Sequence, residues 1–170
     1  MNRRNVLKIV ALGALTSRGE LWAATHAPHS DELAAWAAGN YQLQFFTAAE
    51  NDLADRAMEM IIPADSHSGG AHAAKVSLFA DRMVSTSSES DRTEWRGGLR
   101  LMKEEADKSS LAVALEKAAA GEANPQTDLE RFFITLKQMT ANGYYSSEIG
   151  IHQDLQYQGN TYVAEFPGCG

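Results

Sequence analysis

No stretch of this chain alternates apolar and polar residues between turn signals. Apolar positions recur instead at steps of three and four, which argues against a sheet and for packed helices. Thr47-Ala48-Ala49-Glu50 is a capping box, in which hydroxyl and carboxylate can each satisfy an orphan backbone N–H. Leu53, Ala57 and Ile61 with Ala54, Met58 and Ile62 form the stripe behind it, and Pro63 stops the helix. After a turn at 66–70, Val76, Phe79, Ala80, Met83 and Val84 predict a second helix. A polar break at 85–90 offers Asp91 as the next cap, and Trp95, Leu99 and Met102 then face inward while Arg96, Arg100, Lys103, Glu104 and Glu105 face water. Leu111, Leu115 and Ala118 mark a short helix. Thr127 caps a strong one carrying Leu129, Phe132, Phe133, Leu136 and Met139, which Gly143 is expected to end. A further short helix is expected within 27–42. The expected class is all-α: an irregular bundle of about five helices over residues 30–142, followed by an extended, Tyr-rich segment over 143–170.

The chain has 170 residues, 44% of them hydrophobic and 22% charged, enough for one domain with a real core. Residues 1–29 hold four basic residues and one acid, which leaves 11 basic against 21 acidic residues from residue 30 onward, a body at −10. Such a body is repelled by phosphate backbones, so nucleic acid is a poor partner. Cys169 is the sole cysteine, which excludes an internal disulfide framework, a C-x-x-C redox pair and any Cys-built zinc or iron–sulfur cage.

Arg3 and Arg4 precede Val6-Leu7-Lys8 and a short, mildly apolar run from Ile9 to Leu15, the shape of an export signal, in particular one of twin-arginine type. The run is too short to span a membrane, for which about 20 residues are needed. No A-x-A cleavage site follows it closely. The twin-arginine route carries folded cargo, often loaded with a cofactor, yet the chain has no G-x-G-x-x-G, no G-x-x-x-x-G-K-[ST] and no H-E-x-x-H. An address without a loadable site suggests that the cargo is a partner.

From Phe46 to Val84, Leu53 to Ile62 followed by Pro63-Ala64-Asp65, then Gly70-Ala71 and Val76-x-x-Phe79-x-Asp81, resembles the gluconate 2-dehydrogenase subunit 3 family. Gly143-Tyr144-Tyr145-Ser146-Ser147, Leu155-x-Tyr157-x-Gly159 and Pro167-Gly168-Cys169 resemble its closing elements, so the likeness covers about residues 43–170. Ser68-Gly69-Gly70 stands where a Thr-Pro-Gly turn is common. The resemblance implies a non-catalytic small subunit, with no cofactor of its own, that binds a FAD-dependent flavoprotein of glucose-methanol-choline type. It implies that the pair reaches the periplasm together, with membrane contact only indirect or through an uncleaved signal. It also implies that electrons pass to a haem or iron–sulfur chain held elsewhere.

Several residues are candidates for function. Tyr144, Tyr145, Tyr157, Tyr162 and Phe166 supply broad amphipathic area that could lie across a partner or across the chain's own bundle. Cys169, unpaired in an exported chain, is a candidate for an interchain disulfide, with a free or buried thiol as the plainer alternative. Asp65, His67 and His72 could be taken as a metal triad. His67 and His72 are not at same-face helical spacing, however, and a hydrated loop is the simpler account of them. His152 with Asp154 is an acid–base pair only if the geometry allows. The rival to the subunit reading is therefore an autonomous periplasmic enzyme or metal-binding protein built on the Asp65, His67 and His72 loop. A chaperone that releases its client after export is a third reading.

Overall fold

A computed structural model describes residues 40–157 and 159. The chain divides into two units, Met1–Gln42 and Leu43–Gly170, and the described fold belongs to the second. It is all-α: α1 (Ala48–Ile61), α2 (Val76–Ser85), α3 (Glu89–Lys108), α4 (Leu111–Ala120), α5 (Asp128–Tyr145) and a π-helical turn (Ile149–Asp154), with no strand among the described residues. The helix expected within 27–42 lies mostly outside the described residues, and 40–46 is irregular.

Local capping chemistry sets the helix starts. Thr47 with Glu50 forms the capping box that the sequence predicts, and Thr127, the expected cap of α5, forms a second complete box with Glu130. The cap of α3 falls three residues earlier than expected. Ser88 is the N-cap, and Asp91 is the reciprocal partner inside the first turn. Ser110 caps α4 through the Val113 amide.

α5 packs against each of the other α-helices and the π-helical turn, so it is the axis of the bundle. Its buried residues Phe132, Phe133, Leu136, Thr140 and Tyr144 meet Leu53, Ala57 and Met58 of α1, Val76, Ala80 and Val84 of α2, and Trp95, Leu99 and Met102 of α3 in one core. Phe46, Trp95 and Phe132 form an aromatic chain with centroids 5.6 and 5.3 Å apart, the second pair edge-on. Gly98 makes that pair feasible, because a Cβ there would lie 2.0 Å from the Phe132 ring.

Three further expectations are corrected. α2 buries Ser77 and Asp81 along with Val76, Ala80 and Val84, while Met83 stays exposed; the helix is rotated because both polar side chains have partners inside the fold. Gly143 does not end α5, which runs on to Tyr145. The glycine serves contact with α2, since a Cβ there would come within 2.8 Å of Val76 and Phe79. The segment from residue 143 is not simply extended either. After α5 ends, Ser147 Oγ donates to the Tyr144 carbonyl at 2.6 Å and accepts from the Gly150 amide at 3.0 Å, which starts the π-helical turn.

Candidate functional site

The loop between α1 and α2 carries most of the polar candidates, and its own backbone engages them. Asp65 Oδ1 accepts from the amides of His67 (2.7 Å) and Ser68 (2.9 Å), closing an Asx turn. These amides, Ser68 first, hold the Asp65 carboxyl below the ordinary carboxylate value. Glu59 of α1 accepts from Ala64 N at 3.0 Å and from His72 N at 2.8 Å, tying both ends of the loop to the helix.

His72 faces away from Asp65, toward α1. Its Nδ1 lies 2.5 Å from Asp55 Oδ2, and Asp55 Oδ1 accepts from Ser77 Oγ at 2.9 Å. The Asp55 hydrogen bond, reinforced by its charge, raises the His72 pKa. The three residue types are those of a hydrolytic triad, but the order is wrong. Nucleophilic catalysis needs the imidazole between carboxylate and hydroxyl, whereas here the carboxylate sits in the middle and Ser77 donates its proton to it. Ser77 is also buried. Among the described residues no three His, Cys, Asp or Glu side chains converge on a point where a metal could sit, so Asp65, His67 and His72 are not brought together as ligands.

His152 and Asp154 also turn to different partners. His152 Nδ1 is 3.1 Å from the Tyr157 carbonyl, while Asp154 bonds the Tyr145 hydroxyl and raises its pKa. The tyrosines divide as well. Tyr144 is only 1% exposed; its hydroxyl donates to the Gly69 carbonyl at 2.8 Å and accepts from Ser68 Oγ at 2.8 Å. It is therefore a core residue that pins the α1–α2 loop to α5, not a partner-facing one. Gln153 Oε1 adds a second pin by accepting from Gly69 N at 3.2 Å. Tyr145 and Tyr157 are exposed. Arg3, Arg4, Tyr162, Phe166 and Cys169 lie outside the described residues.

Sequence reasoning gave Asp81 no role of its own. It is fully buried and accepts from the amides of Gln44 (2.7 Å), Phe45 (2.9 Å) and Phe46 (2.6 Å), fixing the entry to α1. Its one sequence signal was an acid among the apolar residues of α2. A cleft of about 520 Å³ lies between α1, α3 and the start of α4, lined by Asp52, Leu53, Arg56, Leu99, Lys103 and Leu111 among others. Its charges pair among themselves or with neighbours, Arg56 with Asp52 at 3.0 Å and Lys103 with Asp107 at 2.6 Å, which leaves little to hold a charged ligand. No helix of the described residues is long and apolar enough to cross a membrane.

The model of one protein family, gluconate 2-dehydrogenase subunit 3, matches residues 48–168. No curated protein and no solved structure matches the chain.

Proposed function

The chain belongs to the gluconate 2-dehydrogenase subunit 3 family, and from that membership we propose that it is the non-catalytic small subunit of a FAD-dependent sugar or polyol dehydrogenase complex. The family is that of an accessory subunit of a dehydrogenase complex, and this match, running from α1 to beyond the π-helical turn, is the observation that carries the reading. The partner is a flavoprotein of glucose-methanol-choline type, and its FAD supplies the oxidation.

The geometry supports this division of labour. A dinucleotide pyrophosphate favours an open helix N-terminus with free N–H groups. Here the N-termini of α1, α3 and α5 are closed by their own Glu50, Asp91 and Glu130 carboxylates, which would repel it, and that of α4 by Ser110, while α2 starts at Lys75 without a side-chain cap. The imidazole nearest a buried serine is separated from it by a carboxylate, and the loop histidines do not converge with Asp65. The Asp65, His67 and His72 loop on which the rival reading rests thus does not form a metal-binding cluster among the described residues.

The proposal extends to traffic. Arg3 and Arg4 address the chain to the twin-arginine route, and the folded pair travels together to the periplasm, where a haem or iron–sulfur chain receives the electrons. The small subunit stabilises its client on the way, and a disulfide from Cys169 bridges the two chains.

The test is a tagged pulldown from the producing cell, scanned for flavin absorbance and run on gels with and without reductant. A yellow, larger partner in roughly equal amount is expected, as is cytoplasmic retention of both chains in Arg3→Lys/Arg4→Lys. A band that separates only on reduction, and no longer needs it in Cys169→Ser, is expected for the bridge. A lone, colourless chain overturns the subunit reading.

A further inference from the structure

Six large hydrophobic side chains are well exposed among the described residues. Met60, Met83 and Val113 sit on three different helices, the ordinary scatter of a protein surface. Tyr145, Leu155 and Tyr157, at 44%, 58% and 48% exposure, fall instead within one short segment at the end of α5 and the exit of the π-helical turn.

These three are held in a set arrangement. The Tyr145 ring stands edge-on to buried Tyr144, with centroids 5.2 Å apart, and its hydroxyl is tied to Asp154. The Leu155 amide donates to the Gly150 carbonyl at 3.0 Å, and the Tyr157 amide to the Ile151 carbonyl at 3.0 Å. Through Tyr144 and Gln153 the segment is also fastened to the α1–α2 loop. Aromatic residues presented in a fixed conformation reduce the ordering cost of association, which makes such a patch a better docking surface than a mobile one.

Its electrostatics specify what it fits. Glu148 and Asp154 lie within the segment, Asp65 stands in the loop fastened to it, the exposed His152 is the one titratable base beside Tyr157 among the described residues, and no Lys or Arg occurs after Lys137. An apolar centre with an acidic rim complements an apolar surface rimmed by Lys and Arg and disfavours acidic ones.

We propose that Tyr145, Leu155 and Tyr157 form the docking face for the catalytic subunit of the dehydrogenase complex, whose matching surface is apolar with a basic rim. The proposal rests on the subunit reading above.

The experiment compares the tagged full-length chain with a Leu155→Ser/Tyr157→Ser variant, both expressed in the producing cell. The readout is co-purified dehydrogenase activity, measured as reduction of an electron-accepting dye by gluconate or a sugar. The wild-type chain retains the activity, and the variant loses about tenfold or more of it, the scale of one interface anchor. Its thermal midpoint stays within about 2–4 °C of wild type, as expected for surface positions. Glu148→Lys weakens retention at low salt, and the difference shrinks as salt rises. A photo-crosslinker at residue 155 captures the flavin-bearing chain, and one at residue 83 does not. A variant that keeps its full activity overturns the docking face and leaves the subunit reading intact. So does a crosslink from residue 155 into the same chain or into a second copy. A wild-type chain that brings down no dehydrogenase overturns the reading and the proposal with it.

Discussion

Three backbone N–H groups converging on Asp81 help make a carboxylate tolerable in this buried position. Asp81→Ala leaves all three without their acceptor and frees the segment leading into α1, at a cost of about 3 kcal/mol. The thermal midpoint is expected to fall by roughly 10 °C, measurable by circular dichroism. Tyr144→Phe, which deletes one hydroxyl between Ser68 and Gly69, costs about 1–2 kcal/mol, read from urea midpoints. His72 gives a pH signature. Its hydrogen bond to Asp55 raises the folded pKa above the ordinary 6.5, so the folded chain holds its proton more tightly than the unfolded one. That stabilisation is fully present below the unfolded value and is lost as pH rises through the folded one. The imidazole side chain is 74% exposed, so solvent screening limits the effect to at most about 1 kcal/mol. Urea midpoints should decline gently across this window in the wild type, and His72→Gln should remove that decline.

Within α3, two adjacent glycines make opposite demands. A Cβ on Gly97 meets nothing within 4 Å, so Gly97→Ala should gain about 0.5–1 kcal/mol from helix propensity alone. A Cβ on Gly98 would penetrate the Phe132 ring, so Gly98→Ala should lose about 1–3 kcal/mol or more through overpacking. Paired thermal melts check both signs. The same contrast shows what was legible in the sequence. Thr47, Thr127 and the stripes of α1, α3 and α5 were readable because capping and periodicity act over three or four residues. Asp81 and Ser77 were given no role, and Gly143 was taken for a helix end, because their partners lie far along the chain: Phe46, Asp55, and the side chains of Val76 and Phe79. Of the candidate site, Tyr145 and Tyr157 are exposed as a partner surface requires. Tyr144 is not, because only the folded chain brings Ser68 and Gly69 to its hydroxyl.

For the molecule as a whole, α5 sets the terms. It touches every other helix among the described residues, so a cavity in it is felt throughout: Leu136→Ala should cost about 2–5 kcal/mol. Near-ultraviolet and far-ultraviolet signals should still fall in one coincident transition. The central helix is also the last α-helix of the described chain to leave the ribosome. Until residue 145 has emerged, α1 to α4 have only one another to pack on, and the apolar faces meant for Phe132, Leu136 and Tyr144 stay open to water and to chaperones. Folding is thus deferred until α5 has emerged, and a polypeptide interrupted before residue 128 would be marked by its uncovered core for degradation.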